Sequence, residues 1–234
     1  MGYFRILFLM SYQPQQNMEG FVKYRFSVPL EEPRSKSYIK SYHECYSRKL
    51  GRNISALGKL QFDNLLCLEM DANVKWYCER PLSEKLHVNG KTFSVEPSVY
   101  VVYADGTEAF QLVTSGENES SVTESFNLWC VSRNENAEIK GYSEIYPGPF
   151  WMRNISYLAG RARRIRGSDK GADDAFIRYL SLNGAMTIGQ LMAAGRLSEP
   201  YGSDYIADLY YKGLIHIKDM ESRQISYSTE VECL

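Results

Sequence analysis

The sequence predicts an α/β protein in which a strand-rich core is followed by a mostly helical tail. Three observations carry that prediction. Leu57, Leu60, Leu65 and Leu68 recur near helical spacing, and Phe62, Leu66 and Met70 widen the apolar stripe. Short apolar runs then surround the pairs Asn89-Gly90 and Asp105-Gly106, which punctuate strands as tight turns. After residue 172 the pattern changes to three helical segments and two short strand-like runs. A chain of 234 residues has room for one large core, or for a core and a small second domain.

Residues 1–30 alternate aromatic and polar side chains weakly and read as an arm or an added edge strand. The apolar run Tyr3–Met10 is too short for a signal sequence, and no small-residue cleavage site follows it. No stretch approaches membrane-spanning length. Residues 31–52 interleave Arg34, Lys36, Lys40, Arg48, Lys49 and Arg52 with Tyr38, Tyr42 and Tyr46, as a basic surface segment would. A helix is expected from Ser55, acting as N-cap, to about Asp71, with Asp63 on its polar side. Val74–Arg80 reads as a strand stopped by Pro81. A hairpin is expected about Asn89-Gly90, then strands over Ser98–Tyr103 and Glu108–Thr114. Ser125–Val131 reads as a further apolar strand, and a short helix runs from Pro149 to about Leu158.

In the tail, helices are expected over Asp173–Leu182, Ile188–Ala194 and Ser203–Lys212. Strands are expected over Gly213–Lys218 and Gln224–Ser228. Three helices followed by a β-hairpin is the order of a winged helix-turn-helix. Its third helix carries Asp204 and Asp208 and one lysine, a poor face to set against phosphates, so protein contact is the expected use of this module. The predicted organisation is an N-terminal basic arm (1–52), a core (53–160), a basic linker (161–171) and a winged-helix-like domain (172–234).

Formal net charge is −1, which gives no global argument for a nucleic-acid partner. The distribution is uneven. Residues 1–52 hold nine Lys/Arg against four Asp/Glu, and residues 161–171 hold five against one. Arg161, Arg163, Arg164 and Arg166 sit in six consecutive positions, a density suited to backbone phosphates. The five cysteines form no CxxC pair, which argues against zinc and suits a reduced, cytoplasmic chain. His43, His87 and His216 are far apart, and neither a Ser-His-Asp arrangement nor a phosphate loop can be assembled.

Several segments in order carry a family resemblance. The first helix reads Leu60-Gln61-Phe62-Asp63-Asn64-Leu65-Leu66, followed by Val74-Lys75-Trp76-Tyr77-Cys78-Glu79-Arg80-Pro81. Phe93-Ser94-Val95-Glu96-Pro97-Ser98-Val99-Tyr100 and Asp105-Gly106-Thr107-Glu108-Ala109-Phe110-Gln111-Leu112-Val113 come next. In this order and spacing the chain resembles the TnsA-type endonuclease subunit of heteromeric transposases. The resemblance implies a restriction-endonuclease-like, mixed-sheet core followed by a winged-helix-like domain. It also places the metal-binding acids and the lysine of such a core at Gln61, Ser98, Gln111 and Val113. Amide and hydroxyl oxygens cannot supply the charge that Mg²⁺ requires, and valine does nothing for a phosphate.

The expectation is therefore a catalytically inactive, TnsA-like subunit of a DNA transposition or mobile-element complex. It would bind DNA weakly through backbone contacts from Arg34, Lys36, Lys40, Arg48, Lys49, Arg52, Arg161, Arg163, Arg164 and Arg166. The resemblance supplies the further partners, a transposase or an AAA+ regulator, and a homo- or heterodimer. No cofactor and no membrane partner are expected. One alternative is an active, divergent endonuclease using Mg²⁺ to cut transposon ends, with a relocated site built on Glu96 and Asp63, Asp105 or Glu108. The other is a DNA-binding transcriptional regulator.

Overall fold

The computed structural model describes residues 24–31, 41–88, 90–116, 120–165, 167 and 170–234. In chain order the elements are β1 (Tyr42–Ser47), β2 (Arg52–Leu57), α1 (Lys59–Met70), β3 (Val74–Glu79), β4 (Glu84–Val88), β5 (Lys91–Val95), β6 (Val99–Tyr103) and β7 (Glu108–Val113). They continue as α2 (Ser120–Arg133), β8 (Ala137–Lys140), α3 (Tyr142–Ile145), α4 (Trp151–Ala162), α5 (Lys170–Asn183), β9 (Met186–Thr187), α6 (Ile188–Ala194), α7 (Tyr201–Tyr211), β10 (Ile215–Ile217) and β11 (Glu230–Cys233).

The core is a four-stranded mixed sheet in the order β3-β6-β7-β8. β3 and β6 pair antiparallel, as do β6 and β7, while β7 and β8 are parallel and joined through α2. A parallel pair needs such a crossover, because two parallel neighbours cannot be joined by a tight turn. Alternation along β6 builds both faces. Val99 and Val101 meet Leu65 and Leu68 of α1 and Ile54 of β2 on one side. Tyr100 and Val102 meet Phe110, Phe126 and Trp129 on the other.

The turn between β6 and β7 forms as its sequence predicts. Gly106 takes φ +87, and the Asp105 carboxylate accepts from the Thr107 backbone N–H at 2.8 Å. β4 and β5 form the expected hairpin, in register from Val88↔Lys91 to Glu84↔Val95. Asn89 itself lies outside the described residues.

Four expectations need correction. Ser55 does not cap α1: it lies in β2, paired with Glu44, and the helix begins after Gly58, whose φ of +95 reverses the chain. Asp63 is not on a solvated face but buried, held by Lys59 and by the Tyr146 hydroxyl at 2.6 Å. Ser125–Val131 is helical, within α2, whose buried residues Phe126, Trp129 and Cys130 recur at helical spacing. The last strand is β11, not Gln224–Ser228, and it also pairs with β9, giving a three-stranded sheet in the order β10-β11-β9.

The tail is not set apart from the core. α4 buries Met152, Ile155, Leu158, Ala159 and Ala162 along one stripe, facing both ways into a single apolar cluster. That cluster runs from Leu66 and Met70 of α1 to Leu180, Leu191, Leu209, Ile217 and Val231 of the tail. Arg161 and Ala162, expected in a linker, form the last turn of α4. Gly213, at φ +67, lies directly against Ala72, where an added Cβ would collide.

Candidate functional site

Four positions singled out from the sequence lie at the junction of α1 and the sheet. The first turn of α1 carries Gln61, the connector into β6 carries Ser98, and β7 carries Gln111 and Val113. Val99 pairs with Gln111 across the sheet. The Ser98 N–H donates to the Gln111 carbonyl at 2.8 Å, and the Val113 N–H donates to Ser98 Oγ at 2.9 Å. Gln61 and Ser98 line the same small space of about 10 Å³ with Ser55 and Arg80. That is barely the volume of one water. Arg80 closes it from outside, donating to the Ser55 carbonyl at 2.7 Å and to the Leu30 carbonyl at 3.1 Å.

The Gln111 side chain is 0% exposed and fully used. Its Oε1 accepts from Asn64 at 2.9 Å, and its Nε2 donates to Glu138 at 2.9 Å. Glu138 also accepts from Tyr103 at 2.7 Å and pairs with Lys140 at 3.0 Å. Burial pushes the Glu138 carboxyl up, but the hydrogen bonds from Tyr103, Lys140 and Gln111 outweigh it and hold the group below its ordinary value. That carboxylate is thus already neutralised by a lysine, and Glu79, which lines the small space beside Gln61 and Ser98, is held by Arg52 at 2.7 Å. Gln61, Ser98 and Gln111 themselves offer only amides and a hydroxyl, and this set does not fit a divalent cation. Among the described residues no three His, Cys, Asp or Glu side chains come together in a metal-binding group.

Glu96 falls outside any strand, since β6 begins only at Val99 after the buried Pro97. Glu96 and Ser98 therefore share no strand face. Its exposed carboxylate accepts from Ser83 at 3.2 Å.

The basic candidates are spent largely on internal partners. Arg48 donates to the Ala162 carbonyl and to Asp208, each at 2.7 Å, and lies over the Tyr211 ring at 4.4 Å. Lys49 donates to the carbonyls of Leu68 and Asp71 at the end of α1. Burial lowers its ammonium to about 8, against the opposing pull of Glu69 and Asp71. Arg52 makes a two-pronged pair with Glu79, both arms at 2.7 Å. Arg161 reaches Asp204 at 3.0 Å, and Arg163 donates to Cys45 Sγ at 3.1 Å. Arg164 is the most open, with 61% of its side chain exposed. Arg34, Lys36, Lys40 and Arg166 lie outside the described residues.

The acids of the third tail helix are a further correction. Asp204 and Asp208 do not face solvent: α7 is buried against α4 and α1, and both carboxylates pair with cations. Sequence reasoning also missed Glu69, a buried acid that accepts from Ser47 at 2.5 Å, Tyr77 at 2.9 Å and the Arg48 backbone N–H at 2.8 Å. Its i−3 and i−4 neighbours, Leu66 and Leu65, were the only available signal, and they were read simply as a helix stripe.

Arg48 and Arg161 therefore tie the tail to the elements before it, and Ser98 and Gln111 are held in closed, hydrogen-bonded surroundings. Comparison with protein-family models and with curated proteins finds no match to this chain.

Proposed function

We propose that this chain is a TnsA-like, catalytically inactive subunit of a DNA transposition or mobile-element complex. It would bind DNA through backbone contacts and dock onto a transposase or an AAA+ regulator. The observation that carries the proposal is that the positions where the resemblance puts acids and a lysine carry neither and are closed off: Gln61 and Ser98 line a space of about 10 Å³, and Gln111 is buried and bound to Asn64. Two features of topology support it. With the β4–β5 hairpin set aside, the chain order α1-β3-β6-β7-α2-β8, with only the last pair of strands parallel, is compatible with the restriction-endonuclease-like core that the resemblance implies. The order α5-β9-α6-α7-β10-β11, with β11 central in its sheet, is compatible with the winged-helix-like domain that it implies.

The buried state of α7 refines the partner reading. A reader of the DNA major groove must expose its recognition helix, so the regulator alternative loses its reading element. DNA contacts fall to Arg164, the most open of the described candidates although it lies 3.7 Å from Asp204, together with Arg34, Lys36, Lys40 and Arg166. Partner contact falls to the exposed acids of the C-terminal loops, among them Asp219 and Glu221.

The test is a supercoiled-plasmid nicking assay with Mg²⁺ or Mn²⁺, alongside a pull-down from the native host. The expected outcome is no metal-dependent nicking and capture of a transposition partner. Metal-dependent nicking by the native chain that is lost in Glu96→Ala would overturn the inactive reading in favour of a divergent nuclease.

A further inference from the structure

Between α4, α7 and the loop preceding β11 lies an open cavity of about 690 Å³, away from Gln61, Ser98, Gln111 and Val113. Its floor is apolar, formed by Leu158, Ile188, Ile206 and Ile225. Its rim carries two tyrosine rings, Tyr157 of α4 and Tyr227 of the loop, exposed to 39% and 57%. Arg161 lies over the Tyr157 ring at 5.0 Å and is itself held by Asp204 and Glu199. Glu199 accepts from the Tyr227 hydroxyl at 2.9 Å and from Ser203, which fixes the loop side of the rim.

The outer stripe of α4 continues this rim. Arg153, Tyr157 and Gly160 follow at steps of four and three residues, so they line up along the helix, and Arg164 lies two residues past its end, 3.7 Å from Asp204. At about 1.5 Å per residue Arg153 stands about 6 Å along the helix from Tyr157, and Arg164 follows in sequence beyond the helix end. Both arginines are exposed.

We infer that this cavity takes an unpaired nucleobase of single-stranded DNA, stacked on Tyr157 and Tyr227, with Arg153 and Arg164 on the flanking phosphates. The inference rests on the DNA-binding reading above and names the form of DNA and the place. The volume is that of a site for a small planar ligand, with an apolar floor and few polar groups. Tyrosine rings beside a cationic track are the recurring means of holding single strands, because every base has a face to stack. Glu199 presents a carboxylate oxygen that an exocyclic base amino group can reach as donor. A base within a duplex is already stacked and paired, and does not reach such a cavity unless extruded.

The test is fluorescence anisotropy on the whole chain at low salt. The probes are a labelled oligodeoxycytidine of about a dozen nucleotides and a duplex of the same length. The double variant Tyr157→Ala/Tyr227→Ala is expected to weaken single-strand binding about tenfold or more and to leave duplex binding unchanged. Tyr157→Phe/Tyr227→Phe, which keeps the rings, is expected to retain single-strand binding. Arg164→Gln is expected to weaken both and to flatten the salt dependence. An alanine variant with a native circular dichroism spectrum that binds the single strand normally overturns the cavity while leaving DNA binding intact. An equal loss for both DNA forms, or a loss in the phenylalanine variant, also overturns it. If the native chain binds neither form, the DNA-binding reading itself fails, and the inference with it.

Discussion

Asp208 is 0% exposed, and its carboxylate is held by Arg48 from the β1–β2 turn and by Lys212 one turn along its own helix, at 2.7 and 2.6 Å. Removing one partner of a buried pair strands a charge in a medium that cannot solvate it. Arg48→Ala is therefore expected to destabilise the protein by about 3 kcal/mol, the lower end of the usual range because Lys212 remains. Urea denaturation at neutral pH measures it. Lys49 makes a separate, pH-dependent prediction. Its ammonium titrates at about 8 in the folded chain, against an ordinary value of 10.5, so the folded state releases this proton first. Between those values the unfolded chain binds more protons, and the contribution of Lys49 to stability rises with pH. The stability of the native protein relative to Lys49→Met is expected to be flat below pH 8 and to climb above it. Denaturant midpoints of the two proteins across pH 7 to 10 check the sign. Arg48 and Lys49 both read as surface cations in the sequence, because a linear string of basic residues does not say which of them meets a buried carboxylate or a helix end.

Among the elements, α2 shows how a short apolar run misleads. Ser-Phe-Asn-Leu-Trp-Cys-Val alternates well enough to look like a strand, and seven residues are too few to separate the two periods. The choice is made by the parallel β7–β8 pair, which needs a crossover, and by the face of the sheet that Phe126, Trp129 and Cys130 cover. Trp129 is buried, packs edge-on against Phe110 at 5.0 Å, and donates from Nε1 to Glu84 at 3.0 Å. Trp129→Ala is expected to cost about 3–5 kcal/mol, read as a lowered thermal midpoint. By contrast, α6 was legible to the residue. Thr187 accepts from the Gln190 N–H at 3.2 Å while the Gln190 side chain accepts from the Thr187 N–H at 3.0 Å, a reciprocal cap written within four consecutive residues. Thr187→Ala is expected to remove about 1 kcal/mol, measurable by the same melts.

At the scale of the molecule, one apolar cluster joins α1 and α4 to α5, α6, α7 and β10, so the tail shares its core with the elements before it. Ion pairs cross the same boundary, from Arg48 to Asp208 and from Arg161 to Asp204. The chain is therefore expected to unfold in one cooperative transition, with far- and near-ultraviolet signals coincident. Residues 172–234 expressed alone are expected to give no cooperative melt, since α7 would expose the face that α4 covers. Two separated transitions, or a folded fragment, would show that the tail is an independent domain. The buried α7 also bears on function, since whatever this chain docks against must meet other surfaces.

The sequence by itself determined the features whose causes are local. The turns at Gly90 and Gly106, the cap at Thr187 and the existence of α1, α4, α5, α6 and α7 all follow from periods and turn residues within a few positions of one another. It also singled out Gln61, Ser98, Gln111 and Val113. Their place in the fold was legible only through the order of elements around them. Only the tertiary structure decided which charges are free. Asp63, Glu69, Asp204 and Asp208 are buried and paired, and Arg48, Lys49, Arg52 and Arg161 are committed to partners that include carboxylates and carbonyls up to 160 positions away in sequence. The physical reason is range. Backbone geometry is set by neighbours along the chain, whereas the cost of a charge depends on what the fold brings around it, and no local pattern records that.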